Sequence, residues 1–258
     1  MKKKIVAVVL CGGMGTRISE LTKKIPKSLI SVYQKPIIWY VISSLIKNDI
    51  KEIIFPLGYK GGQIKRYVLK HFKSKDLKFY FVETGEKTEI NDRIKMIKDE
   101  LEKFENFLLV NSDTIFDFNL KKFIKFHVNN NFLISLSGIK MFANWGSIVK
   151  NSDNLVKNFT INSKIIKYNI DKYEKYPSYR NTGISIINIY FLNFFSKIKN
   201  KNFEHSLYNN FIKKKNVGVQ IFDSFWYPIE TFKDFILLKH DKLLKKNLKN
   251  LKNTYNKK

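Results

Sequence analysis

The sequence passes from an apolar run directly into a glycine-rich segment at Leu10-Cys11-Gly12-Gly13-Met14-Gly15-Thr16-Arg17, and Pro26-Lys27-Ser28 follows shortly after. The apolar run, Ile5–Leu10, has the composition of a buried parallel strand. Glycines let backbone N–H groups approach a polyphosphate closely and permit positive φ angles in a tight loop. Arg17 and Lys27 add positive charge that can neutralise phosphates. The segment therefore predicts a nucleoside triphosphate bound at the end of the first strand.

Two commoner phosphate-binding loops do not match this segment. A P-loop ends in Gly-Lys-Ser/Thr, whereas this loop ends in Gly15-Thr16-Arg17. A dinucleotide-binding loop has a third glycine at the position that Ile18 occupies here. The remaining alternative is an ordinary glycine turn after a strand, and the nearby Arg17, Pro26 and Lys27 favour the phosphate site over that turn.

The first half of the chain alternates between apolar strands and helices. Strands are predicted over Ile5–Leu10, Glu52–Pro56, Leu77–Val82 and Phe107–Val110, and helices over Pro36–Lys47, Gly61–Phe72, Ile90–Lys103 and Leu120–Asn129. Strands and helices in this alternation form βαβ units, and ligands then bind at the carboxyl ends of the strands. The prediction is an α/β fold with a Rossmann-like, mostly parallel sheet flanked by helices.

The second half is more mixed and is predicted to form a smaller acceptor-binding lobe. Further strands are expected over Phe132–Ser137, Ser147–Lys150, Ile184–Ile189 and Gly218–Phe222, with a helix over Glu204–Lys215. We expect one nucleotidyltransferase domain over residues 1–242, with a nucleotide-binding half (1–130) and an acceptor-binding half (131–242). Residues 243–258 are predicted to form a basic C-terminal helix that ends in a frayed tail.

The composition restricts the classes of function. A formal charge of +26 over 258 residues invites a nucleic-acid interpretation, but the lysines are spread along the chain rather than concentrated in one patch. A single cysteine excludes an internal disulfide and fits a reducing cytoplasm, where we expect the protein. No stretch is long and apolar enough to span a membrane. We expect a homo-oligomer without a specific nucleic-acid partner, and histidines on the surface or on helix faces.

The pattern Gly-Gly-x-Gly-Thr-Arg followed by Pro-Lys-Ser resembles the signature of sugar-1-phosphate nucleotidyltransferases. In this family the arginine and lysine grip the triphosphate, so the resemblance implies that Arg17 and Lys27, together with Asp113, are catalytic. It also implies a set of nucleotide contacts around the first strand and the loop: Leu10, Gly12, Gly13, Gly15, Thr16, Arg17, Lys27 and Ser112.

Two distant carboxylates are candidate metal ligands. Asp113 ends the strand that contains Val110, where its alternative role is to cap a turn. The later segment Trp226-Tyr227-Pro228-Ile229-Glu230-Thr231 resembles the family pattern W-x-P-x-D-T, with Glu230 in place of aspartate. The resemblance implies that Asp113 and Glu230 hold Mg²⁺. The alternative for Glu230 is a place near the start of a helix, favoured by the helix dipole.

A third set of residues resembles the glucose-1-phosphate cytidylyltransferase branch. That branch has G-Y-K-G, found here at Gly58-Tyr59-Lys60-Gly61, and T-G-x-x-T-x-x-x-R, found here in Thr84–Arg93. The resemblance implies further nucleotide contacts from Thr84, Gly85, Thr88 and Arg93 and favours CTP. The chain departs from the branch at Asn91-Asp92, where two glycines are usual. The alternative is a surface turn with Arg93 solvated.

The acceptor is the least specified part of the resemblance. Gly146, Asn181 and Gly183 align with residues that touch the sugar, and either Lys164 or Lys167 would hold its phosphate. The expected reaction couples a sugar 1-phosphate to CTP, releases pyrophosphate and supplies surface polysaccharide synthesis. The alternatives are GTP or UTP with the same fold, a heptose phosphate or a non-sugar phosphate as acceptor, and a non-catalytic basic relative that binds nucleic acid.

Overall fold

The structure is a computed structural model that describes residues 3–13, 15, 18–140, 147–160, 178–195, 208, 211–240 and 242–256. Predicted features at Thr16, Arg17, Gly146, Lys164 and Lys167 lie outside these residues, as does half of the helix predicted over Glu204–Lys215. No helix within the described ranges is both long and apolar enough to cross a bilayer.

The strands fall close to the predicted positions. Their bounds are β1 Lys3–Leu10, β2 Ser31–Val32, β3 Lys35–Pro36, β4 Glu52–Leu57, β5 Lys78–Glu83, β6 Phe104–Asn111, β7 Thr114–Phe116, β8 Ile134–Ile139, β9 Ser147–Lys150, β10 Val156–Thr160, β11 Ser178–Asn188, β12 Val217–Phe222 and β13 Trp226–Pro228. The helices are α1 Ser19–Thr22, α2 Ile37–Lys47, α3 Gly61–His71, α4 Ile90–Met96, α5 Lys98–Leu101, α6 Leu120–Asn129, α7 Leu192–Phe195, α8 Phe232–His240 and α9 Lys242–Asn256. Short 3₁₀ turns cover Lys27–Leu29 and Ile189–Phe191.

The chain divides into two compact units that interleave along the sequence. The glycine-loop unit comprises Val6–Glu100, Val110–Leu120 and Ser224–Lys258, and the second unit comprises Met1–Ile5, Leu101–Leu109 and Lys121–Asp223. The predicted division into a nucleotide-binding half (1–130) and an acceptor-binding half (131–242) concerns function and stays a prediction.

Parallel strands form the centre of the glycine-loop unit. In this unit the strand order is β1-β4-β5, with Ala7 opposite Ile53 and Ile53 opposite Phe79. β1 and β4 are almost continuously apolar because helices cover a parallel sheet on both faces. All these strands therefore end at one edge, where the glycine loop begins. The mostly parallel mixed sheet flanked by helices confirms the predicted fold class.

Besides the buried residues of the parallel strands, the glycine-loop unit has a second apolar cluster. In it, α2 packs with the C-terminal helices α8 and α9. Helix α2 is buried from Ile37 to Leu45, and its first residue follows Pro36, whose fixed φ suits the start of a helix. Helix α9 buries Leu248, Leu251 and Tyr255 in the same cluster. The Tyr255 hydroxyl donates to the carbonyl oxygen of Phe116 at 3.4 Å. The prediction of a frayed end was therefore wrong for residues 253–256, because Tyr255 ties the last helical turn to β7.

The second unit contains strands β8 to β12 and most of β6. β11 pairs antiparallel with β8 and β9, while β12 pairs parallel with β8. All six residues of β8 are buried, since strands flank it on both sides.

The helix predicted over Ile90–Lys103 is split into α4 and α5, with Ile97 at the break.

His127 lies on helix α6, which is one of the two places expected for histidines, and its side chain is buried inside the second unit. Its exposed fraction is 2 %, its Nδ1 lies 2.8 Å from the Ser135 hydroxyl, and its Nε2 lies 3.1 Å from Oδ1 of Asn106. The Asn106 oxygen is an acceptor, so Nε2 carries the proton and Nδ1 accepts from Ser135. Burial lowers the pKa of His127 to about 4, which keeps the ring neutral.

We predict that His127 makes the protein less stable below neutral pH. Unfolding frees a histidine with an ordinary pKa near 6.5, so the unfolded state binds a proton between about pH 6.5 and pH 4 and the folded state does not. This difference should remove about 2 kcal/mol of unfolding free energy between pH 7 and pH 5. In urea titrations the His127→Gln variant should lose that share of the pH dependence. The exposed His71→Gln variant should keep it, and an unchanged slope in His127→Gln would contradict the assignment.

Candidate functional site

A cavity of about 520 Å³ lies in the glycine-loop unit at the carboxyl ends of β1 and β6. Its walls come from three parts of the chain that lie far apart in sequence: the glycine loop, the loop after β5 and the end of β6. The lining residues are Leu10, Cys11, Gly12, Gly13, Gly15, Pro26, Lys27, Ser28, Glu86, Lys87, Thr88, Glu89, Ile90, Arg93, Asn111, Ser112 and Asp113. The structure thus brings together most of the residues that the sequence predicted to contact a nucleotide.

Glycine is required at specific points of the loop. Gly15 has a φ of +65°, a conformation that side chains with a Cβ rarely adopt. A Cβ on Gly12 would stand 2.1 Å from the Arg93 guanidinium carbon, while a Cβ on Gly13 would meet nothing within 4 Å. The Thr22 hydroxyl, from helix α1, donates to the Gly15 carbonyl oxygen at 3.3 Å. The loop backbone is therefore closely packed against Arg93 at Gly12 and has open space beside it at Gly13.

Lys27 and Asp113 meet at the cavity wall. The Lys27 Nζ lies 2.6 Å from Oδ2 of Asp113, and both side chains are partly buried. The two residues are 86 positions apart in sequence, and each stands near the carboxyl edge of the sheet. A charge-assisted contact of this kind is stronger than a neutral hydrogen bond. The predicted phosphate-binding cation and the predicted metal-binding carboxylate are therefore direct neighbours.

The segment that leads to Glu230 is hydrogen-bonded to the backbone of Asp113. β13 pairs with β7, and the Ile229 N–H donates to the Asp113 carbonyl oxygen at 2.9 Å. Among the residues that the structure describes, no group of three or more His, Cys, Asp or Glu side chains could enclose a metal. Asp113 lines the cavity, whereas Glu230 is not among its lining residues. The metal-binding role of the two carboxylates stays a prediction, in which Mg²⁺ would take one or two carboxylates and complete its shell with water and phosphate.

The helix-start alternative for Glu230 is realised by its neighbours. The Asp234 carboxylate accepts hydrogen bonds from the backbone N–H groups of Glu230 and Thr231, at 3.0 and 2.7 Å. The Asp234 N–H in turn donates to the Thr231 hydroxyl oxygen at 3.3 Å. This reciprocal pair of hydrogen bonds is a capping box at the start of α8. Asp234 therefore satisfies the free backbone donors, and the Glu230 side chain is not needed as the cap.

Arg93 is buried, so the alternative of a solvated helix residue was wrong. Only 4 % of Arg93 is exposed, and its guanidinium donates to the carbonyl oxygens of Gly12 at 3.1 Å and Leu57 at 3.3 Å and to the Thr84 hydroxyl. These partners follow or end β1, β4 and β5. Burial lowers the pKa of Arg93, but arginine begins so high that it keeps its charge. Arg93 thus ties together the carboxyl ends of three parallel strands.

The loop after β5 forms the cavity wall beside Arg93. Gly85 has a φ of +85°, so its glycine is needed for the turn, and the Thr88 hydroxyl donates back to the Thr84 carbonyl oxygen. Thr88 lines the cavity, whereas Thr84 is buried behind it and bonds the Leu57 carbonyl oxygen at 2.7 Å. Of the predicted nucleotide contacts in this segment, Thr88 and Arg93 line the cavity, while Thr84 is buried behind it and Gly85 shapes the turn.

Cys11 and Ser112 occupy the floor of the cavity. Ser112 follows β6, and its backbone N–H donates to the Leu10 carbonyl oxygen at 3.4 Å, which joins the ends of β6 and β1. Burial raises the pKa of the Cys11 thiol to about 12, so the thiol stays protonated at neutral pH. A protonated, buried thiol is a poor nucleophile, and Cys11 acts as a small packing residue.

A hydrogen-bonded clamp that sequence reasoning missed holds the segment before Lys27. The Tyr59 hydroxyl and the Lys60 Nζ donate to the Thr22 carbonyl oxygen at 3.3 and 3.2 Å, and Lys60 also reaches the carbonyl oxygen of Lys23. Gln63 donates to the Lys24 carbonyl oxygen at 3.2 Å. Tyr59 and Lys60 were visible in sequence only as part of the G-Y-K-G resemblance. Their contacts anchor the chain between the glycine loop and Lys27.

The predicted sugar-binding residues Asn181 and Gly183 lie in the second unit. The Asn181 side-chain oxygen accepts from the Gly183 N–H at 3.2 Å, and Gly183 has a φ of +74°. The pairing of β11 with β8 is irregular between Asn181 and Ser185, so the two residues form a local bulge. A bulge re-aims neighbouring side chains and is frequent near binding sites, and the sugar-binding role stays a prediction.

The comparison with protein families agrees with this cavity. The model for Nucleotidyl transferase matches residues 6–243, nearly the whole chain. The chain belongs to this family. The match spans both compact units as well as the glycine loop, Asp113 and Glu230. The function that the members share is nucleotidyl transfer, and the curated relatives are sugar-1-phosphate nucleotidyltransferases.

Individual relatives differ in the nucleotide named for them. The chain is 30 % identical to a probable glucose-1-phosphate cytidylyltransferase of Bacillus subtilis, over 89 % of this chain and 93 % of that protein. It is 28 % identical to the D-glycero-alpha-D-manno-heptose 1-phosphate guanylyltransferase of Campylobacter jejuni, over 89 % and 96 %. A Bacillus anthracis structure assigned as a glucose-1-phosphate thymidylyltransferase, in complex with a sucrose, shares the fold with a TM-score of 0.78 at 16 % identity, over 93 % and 95 % of the two chains.

The paired glycines Gly12 and Gly13 allow a matched test of the Arg93 contact. We predict that Gly12→Ala lowers the free energy of unfolding by about 1–3 kcal/mol, because the new methyl group must displace the Arg93 guanidinium. Gly13→Ala should change it by no more than about 0.5 kcal/mol, since its Cβ meets open space. Urea unfolding of both variants measures the difference. Equal stabilities would show that Arg93 does not pack against Gly12 as described.

Proposed function

We propose that the protein transfers a cytidylyl group from CTP to a sugar 1-phosphate, giving a CDP-sugar and pyrophosphate. The observation that carries the proposal is the cavity at the carboxyl edge of the parallel strands, where a glycine loop, Lys27 and Asp113 converge. Glycine backbone amides and a lysine suit a polyphosphate, and the carboxylate suits a cation that accompanies it. Family membership supplies the reaction class.

The reaction needs few catalytic groups. A sugar phosphate is largely dianionic near neutral pH, because its second ionisation has a pKa of about 6, and so it is already a nucleophile. One of its oxygens attacks the α-phosphorus of the nucleotide in line, and the bond from that phosphorus to the bridging oxygen of pyrophosphate breaks. Both electrons of the broken bond leave with pyrophosphate. The protein therefore has to position two anions and neutralise their charge.

Lys27 changes partners in this proposal. Without nucleotide its ammonium group is paired with Asp113 at 2.6 Å. A bound triphosphate offers the ammonium group several anionic oxygens. Lys27 would then donate its hydrogen bonds to the phosphates instead of to the Asp113 carboxylate. Arg17, whose predicted role is to hold the β- and γ-phosphates, adds a second cation to the same loop. The glycine backbone N–H groups orient the phosphates between these two side chains.

Asp113 and Glu230 would hold the metal. Their oxygen donors match the preference of Mg²⁺, and Asp113 becomes available to a cation when Lys27 turns to the triphosphate. A bound Mg²⁺ supplies positive charge against the phosphate oxygens. Glutamate at position 230 keeps the charge of the usual aspartate with one additional methylene group.

CTP is favoured over other nucleotides for two reasons. Cytidylyltransferases at about 30 % identity are among the relatives, including that of Salmonella typhimurium at 31 % over 47 % of this chain. The Thr84–Arg93 segment that resembles the cytidylyltransferase branch also forms one wall of the cavity. GTP is the second candidate, because the Campylobacter jejuni heptose relative covers the chain equally well.

For the acceptor, the proposal uses the residues that the sequence predicted. Gly146, Asn181 and Gly183 would contact the sugar, and Lys164 or Lys167 would hold its phosphate. Glucose 1-phosphate is the first acceptor to test and a heptose 1-phosphate the second, in line with the names of the relatives. The CDP-sugar would serve surface polysaccharide synthesis.

A panel of nucleotides and acceptors tests the proposal. Pyrophosphate release should be fastest with CTP and glucose 1-phosphate, and slower when GTP, UTP or TTP replaces CTP. Faster release with GTP and a heptose 1-phosphate would replace the specificity proposed here with the guanylyl alternative. No release with any pair, together with salt-sensitive binding of nucleic acid, would exclude the enzyme proposal and favour the basic binding relative.

Asp113 can be tested against a matched aspartate in the same segment. We expect Asp113→Asn to lower magnesium-dependent turnover by about 100- to 1000-fold, because the amide cannot carry the charge that balances a cation. Asp117→Asn removes a carboxylate that pairs with Lys47 at 2.7 Å and lines no part of the cavity, so it should keep near-normal turnover. Circular dichroism checks that both variants fold. Near-normal turnover of Asp113→Asn would overturn the metal assignment.

A further inference from the structure

Helix α8 presents apolar side chains to solvent. Phe232, Ile236 and Leu237 are 41 %, 36 % and 43 % exposed, while Phe235 and Leu238 on the opposite side of the helix are buried in the second apolar cluster. Single exposed apolar residues are normal on a protein surface. Three of them on one nine-residue helix form a coherent patch, which we call the α8 patch.

Helix α9, next in the chain, presents lysines. It buries Leu248, Leu251 and Tyr255 in the same apolar cluster as α8, so the exposed sides of both helices point away from that cluster. The exposed lysines of α9 are Lys242, Lys245, Lys246 and Lys249, and α8 adds Lys233 and Lys239. These residues are called the lysine rim.

Acidic residues do little to offset the rim. On the described residues of α8 and α9, the acidic side chain is Asp234, and its carboxylate is occupied by the backbone N–H groups of Glu230 and Thr231. Asp241, between the helices, lies outside the described residues. The exposed lysines of α8 and α9 are therefore not balanced by acidic side chains on the described residues of these two helices.

The combination of patch and rim fits one kind of partner better than others. A second copy of this chain packed through the same face would bring its own lysines against the rim, and these like charges repel each other. Nucleic acid would use the lysines, and Phe232 offers a face on which a base can stack, but the aliphatic Ile236 and Leu237 would gain nothing from stacking. A bilayer with anionic headgroups satisfies both parts, since its charge attracts lysine and its acyl boundary accepts apolar side chains.

We propose that the exposed face of α8 and α9 docks the protein on an anionic membrane surface, with the α8 patch inserted at the headgroup boundary and the lysine rim against the headgroups. The attachment is peripheral. The lysine contribution depends on ionic strength, because charges beyond about 8 Å are screened at physiological salt. The proposal concerns a surface of the glycine-loop unit and does not depend on which nucleotide the protein uses.

Flotation of the whole purified protein with lipid vesicles tests the proposal without any nucleotide. Vesicles of phosphatidylcholine alone are compared with vesicles that also contain phosphatidylglycerol. We expect binding to the mixed vesicles only, and weaker binding as salt is added. Ile236→Ser with Leu237→Ser should reduce the partition coefficient about tenfold by removing apolar contact. Lys245→Glu with Lys246→Glu and Lys249→Glu should reduce it about a hundredfold or more.

Matched variants elsewhere on the same unit are the controls. Leu69→Ser removes an exposed leucine that is 50 % exposed on α3, and Lys70→Glu with Lys73→Glu and Lys75→Glu reverses the same number of exposed lysines. Both should bind mixed vesicles like the unmodified protein, and circular dichroism checks the fold of every variant.

Three results would overturn the proposal. The first is no binding to the mixed vesicles. The second is a loss in the controls equal to that in the α8 and α9 variants, which would indicate attraction by net charge alone. The third is a change in oligomeric state of the α8 variant by light scattering, with vesicle binding retained, which would assign the patch to a second copy of the chain.

Discussion

The guanidinium of Arg93 joins the carboxyl ends of β1, β4 and β5, and the candidate site depends on this contact. Its hydrogen bonds to Gly12, Leu57 and Thr84 connect strands that share an edge but whose terminal carbonyl groups would otherwise face a cavity. Because the guanidinium is rigid and planar, it fixes several acceptors at once. The requirement for glycine at position 12 follows directly, since a Cβ there would overlap the guanidinium. One buried cation thus determines the shape of the glycine loop and of the adjacent cavity wall.

The opposite wall depends on contacts of a different kind. Tyr59, Lys60 and Gln63 hold the carbonyl groups of residues 22–24, and the Lys27 side chain then reaches Asp113. In this arrangement one set of polar side chains supports the backbone, while Lys27 and Asp113 remain at the surface of the cavity. In the proposed reaction, this separation would let Lys27 and Asp113 exchange partners while the supporting contacts hold the backbone. Such preorganisation is what charge-based catalysis requires.

The C-terminal helices have two faces with different consequences. Their inner faces complete the apolar cluster with α2, and Tyr255 bonds the backbone of β7, the short strand that also pairs with the segment leading to Glu230. Their outer faces leave the α8 patch and the lysine rim to solvent. The same amphipathic pattern therefore supports the Glu230 segment from behind and offers a surface to a partner.

The sequence by itself determined the α/β alternation, the glycine loop and the position of Asp113 at a strand end, because these depend on local apolar runs and on residues close together in the chain. Family resemblance then indicated Glu230 and the Thr84–Arg93 segment. Only the tertiary structure decided that Arg93 is buried, that His127 is a neutral core residue and that Tyr59 and Lys60 form a clamp. Each of these depends on a partner distant in sequence, such as Gly12 for Arg93 and Asn106 for His127. A pattern of neighbouring residues carries no record of such partners, since burial and hydrogen bonding are set by how separate segments pack.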